Sequence, residues 1–393
     1  MRGIVGTPAR GGNFFQRDRE VEKVIGRIRA GNNLQIAAPR RIGKTSILFH
    51  LLDNRVDGYT YVYIDTERVN DEQDFYKKLL KEILRSGSIG NTGRYASLLK
   101  SGSRFLKRIK SISVLGNTLE LDEGVEVNYY EELSNFLAGF ELEDSSLVLL
   151  IDEFPQTILN IIQHNKGDQG TAIQFLQSNR ELRLDPDISP KVRFIYTGSI
   201  GLNHTVASIN ASAFINDLNS MEVGPLTSEE ARLFVRELLE ERDITIDEDA
   251  VLYLLLKIEW LIPFHIQLIV QELIDMVYKT KSVNKDNIDA AFDNIISIRH
   301  QNHFDHYYSR LRIQFKGNEF KFADELLQKL AGSGTLTKAQ AFDLAVGHKV
   351  DDSCRRILDI LMYDGYINNI GDPGTIRFNS PIVRMWWQKF ICK

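Results

Sequence analysis

A chain of 393 residues is longer than one hydrophobic core ordinarily serves, and two or three domains are expected. Its 43% hydrophobic and 26% charged residues are those of a globular protein, and a net charge of -5 excludes a uniformly basic, sequence-blind nucleic-acid binder. With only Cys354 and Cys392, a disulfide framework and a zinc knuckle are excluded, and a reducing cytoplasm is the expected setting. No apolar run reaches the ~18 residues of a membrane span, and Met1–Pro8 lacks the apolar centre of a signal peptide.

Residues 1–13 form a Gly-rich lead-in. Asp18–Ala30 places Val21, Val24, Ile25 and Ile28 on one face and predicts a helix. Leu34–Ala37 is a short apolar strand that enters a Pro/Arg/Gly loop and then a helix at Lys44–Leu52. A strand at Tyr59–Ile64 and a helix at Asp71–Leu84 continue the rhythm of a largely parallel sheet. Residues 86–127 interrupt it with Gly/Ser pairs and a basic run, Arg104–Lys110, and read as an insertion that is either a partner surface or a solvated face. Helix Tyr129–Ala138, strand Leu147–Ile151, helix Gln169–Glu181 and strand Val192–Tyr196 resume the alternation.

The sheet domain ends near Gly224-Pro225. Ser228–Glu240 begins a helical stretch reaching about residue 300, with Ser228 as its cap and Glu229 and Glu230 in the first turn. Three short helices, Phe320–Leu330, Lys338–Val346 and Asp352–Asp364, precede a hairpin of Tyr366–Ile370 and Thr375–Asn379 across Gly371-Asp372-Pro373-Gly374. That order is a winged helix. The expected division is a P-loop domain at 1–225, a helical lid at 226–300 and a winged helix at 301–393.

The chemistry concentrates in two segments. Ala38-Pro39-Arg40-Arg41-Ile42-Gly43-Lys44-Thr45-Ser46 ends in the Gly-Lys-Thr of a phosphate-binding loop. Gly43 permits the tight turn, the helix beginning at Lys44 aims free amides and its positive end at an anion, Lys44 bridges the outer phosphates, and Thr45 offers a hydroxyl to Mg2+. Ala38 stands where the first glycine is usual and fits if its φ stays negative. Leu147–Ile151 then delivers Asp152 and Glu153 at the carboxyl end of a buried strand, where α/β sheets place ligands. Asp152 would hold Mg2+ and Glu153 would activate water. Thr197 and Ser199, at the end of Val192–Tyr196, are candidate γ-phosphate sensors.

These segments resemble the AAA+-related P-loop ATPases of the STAND class, relatives of the origin-recognition ATPases. The loop is similar to that family's Gly-Pro-Arg-Arg-x-Gly-Lys-Thr/Ser. Phe15-Gln16-Arg17-Asp18-Arg19-Glu20 is similar to its Phe-x-Gly-Arg-Glu-x-Glu box, with Gln16 for glycine and Asp18 for glutamate. Trp260-Leu261-Ile262-Pro263 resembles its Gly-x-x-Pro lid motif, with Trp260 for glycine. Phe378–Trp387 resembles its closing Phe-x-Ser-Pro-x-x-Arg-x-x-Trp pattern. The resemblance implies an AAA+-like parallel sheet with a lid and a winged helix. It implies ATP or ADP and Mg2+ as cofactors, with Pro39, Arg40, Arg41, Ile42, Gly43, Lys44, Thr45, Ser46 and Pro263 at the nucleotide. It implies Thr45 and Asp152 at the metal, and Lys44, Asp152, Glu153 and Thr197 in catalysis.

Arg40 and Arg41 read two ways, as phosphate contacts or as partners of acids at an interface. Arg180 and Arg183 are candidates for an arginine supplied to a second copy. The expected activity is slow ATP hydrolysis driving a regulatory or defence-type switch, with a protein partner or self-association. The alternative is an ATP-controlled DNA-binding protein. Residues 304–393 carry 13 Lys/Arg against 10 Asp/Glu, a mildly basic +3, with Arg355 and Arg356 in the third helix opposed by Asp351, Asp352, Asp359 and Asp364.

Overall fold

The computed structural model describes residues 5–54, 56–86, 109–112, 119–121, 127–139 and 145–392. The chain divides into two compact units. A sheet unit comprises Arg17–Ala37 and Lys44–Val223, and a C-terminal unit comprises the lead-in to Gln16, Ala38–Gly43 and Gly224–Lys393.

In the sheet unit, α1 (Asp18–Arg29) buries Val21, Val24 and Ile28 and carries acids in its first turn and arginines in its last, matching the helix dipole. There follow β1 (Leu34–Ala37), α2 (Lys44–Asp53), β2 (Tyr59–Asp65), α3 (Glu72–Arg85), a hairpin of β3 (Ile109–Ile112) and β4 (Leu119–Leu121), α4 (Tyr129–Ala138), β5 (Ser146–Asp152), α5 (Phe154–His164), α6 (Gln169–Leu184), β6 (Val192–Thr197), α7 (Leu202–Ala207) and β7 (Asn219–Glu222). Five of the strands form one parallel sheet in the order β2-β5-β6-β1-β7. One strand, β6, therefore stands between the loop strand β1 and the acidic strand β5. Leu147 through Ile151 are fully buried, as a strand covered on both faces must be. The expected insertion contains the β3–β4 pairing, and the basic positions 104–108 lie outside the described residues.

In the C-terminal unit, α8 (Ser228–Glu240), β8 (Thr245–Ile246), α9 (Glu248–Ile258), α10 (Pro263–Met276), β9 (Ser282–Val283) and α11 (Lys285–Ile295) form a helical module tied by the parallel β8–β9 pair. The cap of α8 is Thr227, one residue before the expected Ser228, in a reciprocal box with Glu230. Then come α12 (Asp305–Gln314), α13 (Gly317–Ser333), β10 (Thr335–Thr337), α14 (Lys338–Gly347), α15 (Cys354–Tyr363), β11 (Ile367–Asn368), β12 (Thr375–Phe378) and α16 (Pro381–Phe390). The last strands make an antiparallel sheet, β10-β12-β11, beside α13 to α15. The architecture is the expected one, an α/β P-loop sheet with a helical lid and a C-terminal winged helix. Trp386 and Trp387 are buried in an aromatic cluster with Phe304, Tyr308 and Tyr366, so they are core and not an exposed docking pair.

Among the described residues, no helix is long and apolar enough to cross a membrane.

Candidate functional site

The sheet unit brings the predicted acids and hydroxyls together. Strand β5 stops at Asp152 because Glu153 takes a left-handed conformation (φ 59°) that turns the chain into α5, with Pro155 in that helix's first turn. The exit is pinned from the neighbouring strand. The backbone N–H and hydroxyl of Thr66 both donate to the Asp152 carbonyl, at 3.0 and 2.8 Å, and the Thr157 hydroxyl donates to the Thr66 carbonyl at 2.9 Å. Such bonds fix where a carboxylate points before any ligand arrives.

The Asp152 carboxylate accepts three hydroxyls. Thr45 Oγ1 donates at 2.7 Å and Tyr63 Oη at 3.2 Å, both to Oδ2, while Thr197 Oγ1 donates to Oδ1. Asp152 and Thr197 are buried, and so is Lys44. Tyr63 escaped the sequence reading. It projects from β2, whose register sets Tyr63 beside Leu150 and Asp65 beside Asp152, and only that pairing reveals it. Burial, and then the charge of Asp152, hold its phenol well above the ordinary range.

The Glu153 amide donates to Asp152 Oδ1 at 3.1 Å, while its carboxylate turns away from this cluster. Its Oε2 accepts the Ser199 amide at 3.0 Å and the Ser199 hydroxyl at 2.9 Å. Burial raises its pKa above the ordinary carboxylate value. The Ser199 amide works against that, as do the Ser199 hydroxyl and the charge of Lys44, while Asp152 adds to it. Gly198 is required for this geometry, because a Cβ there would sit 2.4 Å from Pro155 Cδ. Asn203 is occupied elsewhere, accepting from Gln35 Nε2 at 3.0 Å.

The first half of the loop belongs to the C-terminal unit. Its left-handed positions are Arg41 (φ 64°) and Gly43 (φ 102°), and Ala38 is not one of them. Ile42 is fully buried. Arg41 forms no ion pair among the described residues, and its guanidinium lies 3.9 Å above the Phe264 ring. Pro263 opens α10 and thereby sets Phe264. Trp260 fills the space over Gly365 (φ 80°), where an added Cβ would meet Trp260 Cη2 at 2.5 Å and Pro39 Cβ at 3.2 Å. The indole thus occupies room that a glycine at position 260 would have left open. His265 is fully buried with Nδ1 3.3 Å from Ser380 Oγ, and burial lowers its pKa to about 3, so the neutral ring is a structural element.

The two candidates for an arginine supplied in trans fare differently. Arg183 is buried and bound to Asp217 through Nε at 2.7 Å and Nη2 at 2.8 Å, a structural pair. Arg180 is more exposed, 3.9 Å from the same carboxylate.

The donor set at Thr45 and Asp152 suits Mg2+. Both donors are hard oxygens meeting at hydrogen-bond distance, and Mg2+ commonly takes one or two protein oxygens, filling the rest with phosphate and water. Among the described residues no cluster of His, Cys, Asp and Glu forms an all-protein metal cage, and this ion needs none.

No family model matches the chain. A curated relative, an uncharacterized ATP-binding protein of Methanocaldococcus jannaschii, is 24% identical over 148 residues. That match takes in 36% of this chain and 39% of the relative's length. Among solved structures, a Walker-type ATPase of Pyrococcus abyssi superposes with a TM-score of 0.64 at 16% identity, covering 98% of this chain and 99% of that one. The fold is that of the AAA+-like P-loop ATPases. The ORC2 protein of Aeropyrum pernix, solved as ADPNP–ADP complexes, superposes with a TM-score of 0.58 at 12% identity over 96% and 94% of the two chains. The likeness therefore runs through sheet, lid and winged helix, and none of the three structural features sets the chain in the STAND class.

Proposed function

We propose that the chain is a Mg2+-dependent ATPase whose slow turnover switches its C-terminal winged helix, and that DNA is the ligand of that helix. The working division is a P-loop domain at 1–225, a lid at 226–300 and the winged helix at 301–393. The observation that carries the ATPase reading is the meeting of Thr45 and Asp152 at 2.7 Å, with Glu153 next in sequence and turned onto Ser199.

Lys44 and the free amides opening α2 attract the phosphates. Thr45 and Asp152 hold Mg2+, which when bound withdraws charge from the phosphoryl oxygens. Thr197 and Tyr63 orient the Asp152 carboxylate, as outer partners orient metal ligands elsewhere. Glu153 takes the proton of the attacking water, and Ser199 keeps its carboxylate aimed until then. Loss of the terminal phosphate removes contacts made only in the triphosphate state, which is what a two-state switch requires.

DNA is preferred to a defence-type signalling partner because α15, the third helix of the module, presents Arg355 and Arg356 outward on a domain of net charge +3. Asp359 on the same helix and the ion pair of Arg356 with Glu319 keep such binding weak and salt-sensitive. Gel shifts with ADP, ATP and no nucleotide, at low and physiological salt, test this. A shift that depends on nucleotide and weakens in Arg355→Ala is expected. Absence of any shift at low salt returns the output to a protein partner. The ATPase reading is tested separately by Glu153→Gln, which should bind ATP and turn it over at least 100-fold more slowly.

A further inference from the structure

Behind β6 the sheet unit holds four polar side chains, Tyr76, Asn179, Arg183 and Tyr196, each no more than 1% exposed. Arg183 on α6 is their anchor. Besides its pair with Asp217, its Nη2 donates to the Phe214 carbonyl at 2.7 Å and its Nη1 to Tyr196 Oη at 3.5 Å. The Tyr196 hydroxyl donates in turn to Asn179 Oδ1 at 3.1 Å, and Asn179 Nδ2 donates to Tyr76 Oη on α3, also at 3.1 Å. Burial raises the Tyr196 pKa against the opposing charge of Arg183, so the phenol keeps its proton and acts as the donor to Asn179.

A phenylalanine at position 196 would fill the same core space without burying a hydroxyl. Apolar contact is non-directional, whereas a satisfied buried network specifies one placement. What is placed lies on either side of the tyrosine. Successive side chains of a strand point to opposite faces, so Tyr196 enters the layer of α5 and α6 while the next residue, Thr197, faces the Asp152 carboxylate and donates to its Oδ1. The Tyr196 ring also lies 4.5 Å between centroids from Phe154, the residue that follows Glu153. One side chain thus borders both halves of the site, the residue that holds Asp152 and the residue that carries Glu153 into α5.

We propose that Tyr196, tied down by Arg183 and Asn179, is a positioning residue for hydrolysis, which sets the Thr197–Asp152 pair and the Glu153 carboxylate at a fixed separation. This role rests on the ATPase reading above. It bears on the step that needs both carboxylates and not on Lys44 and the loop amides that attract the phosphates. Loss of the hydroxyl bonds therefore lowers kcat and spares ATP binding.

Steady-state hydrolysis and calorimetric titration of ATP with Mg2+, on the full chain, test it with two variants. Tyr196→Phe keeps the ring and removes its bonds. Tyr196→Phe combined with Asn179→Leu also replaces the stranded amide by an apolar side chain of like shape, which keeps the protein folded where the single change does not. Leu137→Ala, at a fully buried position on α4 outside these hydrogen bonds, is the control for lost core packing. kcat should fall about tenfold in both Tyr196 variants while ATP affinity stays within about twofold, and the control should keep the wild-type kcat. Wild-type kcat in the Tyr196 variants, an equal loss in the control, or an ATP affinity that falls with kcat would overturn the proposal and leave the network as core packing alone. Failure of the ATPase reading looks different: wild-type protein would then show no turnover at all, and the positioning role would fall with it.

Discussion

Replacing Gly365 with alanine isolates the contact by which the winged helix, the lid motif and the loop proline meet inside the C-terminal unit. Two costs add. The left-handed backbone (φ 80°) penalises a Cβ by roughly 1–2 kcal/mol. The new methyl would also stand 2.5 and 2.9 Å from Trp260 Cη2 and Cζ2 and 3.2 Å from Pro39 Cβ, an overpacking worth about 1–3 kcal/mol. A total loss of about 2–5 kcal/mol is expected. All three tryptophans, Trp260, Trp386 and Trp387, lie in this unit. Tryptophan fluorescence in urea therefore reports its unfolding selectively, which matters because a chain of two units need not unfold in one step. Repeating the substitution on a Trp260→Ala background removes the steric part and should leave only the backbone part, so the two costs should differ by about 1–3 kcal/mol. Equal costs in both backgrounds would refute the packing argument and leave the role of Trp260 without explanation.

Ser199→Ala removes a bond that favours ionised Glu153, so the pKa of Glu153 rises further and the acid limb of the ATPase pH–rate profile should move to higher pH; an unmoved limb would dissociate Ser199 from the base. A carboxyl whose folded pKa is raised destabilises the fold once pH exceeds it, so Glu153→Gln should match or exceed the wild-type urea midpoint at pH 8 and lose that advantage near pH 4. Tyr63→Phe deletes one bond to Asp152 and should raise the half-saturating Mg2+ concentration by about tenfold with little change in ATP affinity; an unaltered Mg2+ titration would make the tyrosine merely structural. Asp217→Ala strands a buried guanidinium and should cost about 3–5 kcal/mol in thermal or urea unfolding, far more than any exposed charge change.

The loop and the acidic strand were legible because their information is local. Gly43-Lys44-Thr45 follows an apolar strand, and five apolar residues deliver Asp152. The parallel sheet followed from alternating short strands and amphipathic helices, and the winged helix from three helices and a Gly-Asp-Pro-Gly turn. What escaped depends on pairing across the chain. Tyr63 acquires its role from the register of β2 against β5, and Arg183 loses its candidacy through Asp217, 34 residues away in sequence. Helix α5 has a readable signal in Pro155, which suits the first turn of a helix, but the left-handed turn at Glu153 that joins it directly to β5 has no local sequence mark. Trp260 read as a departure from a glycine motif. Its justification is Gly365, more than 100 residues later, which no local pattern announces.

If one carboxylate beside Thr45 recruits the metal to a bound triphosphate, equilibrium titration of ATP into wild-type and Asp152→Asn protein, with and without Mg2+, reveals it. Saturable binding that Mg2+ tightens in the wild type, with that Mg2+ effect abolished in Asp152→Asn, is the predicted result. Wild-type protein that fails to bind ATP, or an Asp152→Asn protein with an undiminished Mg2+ response, would contradict it.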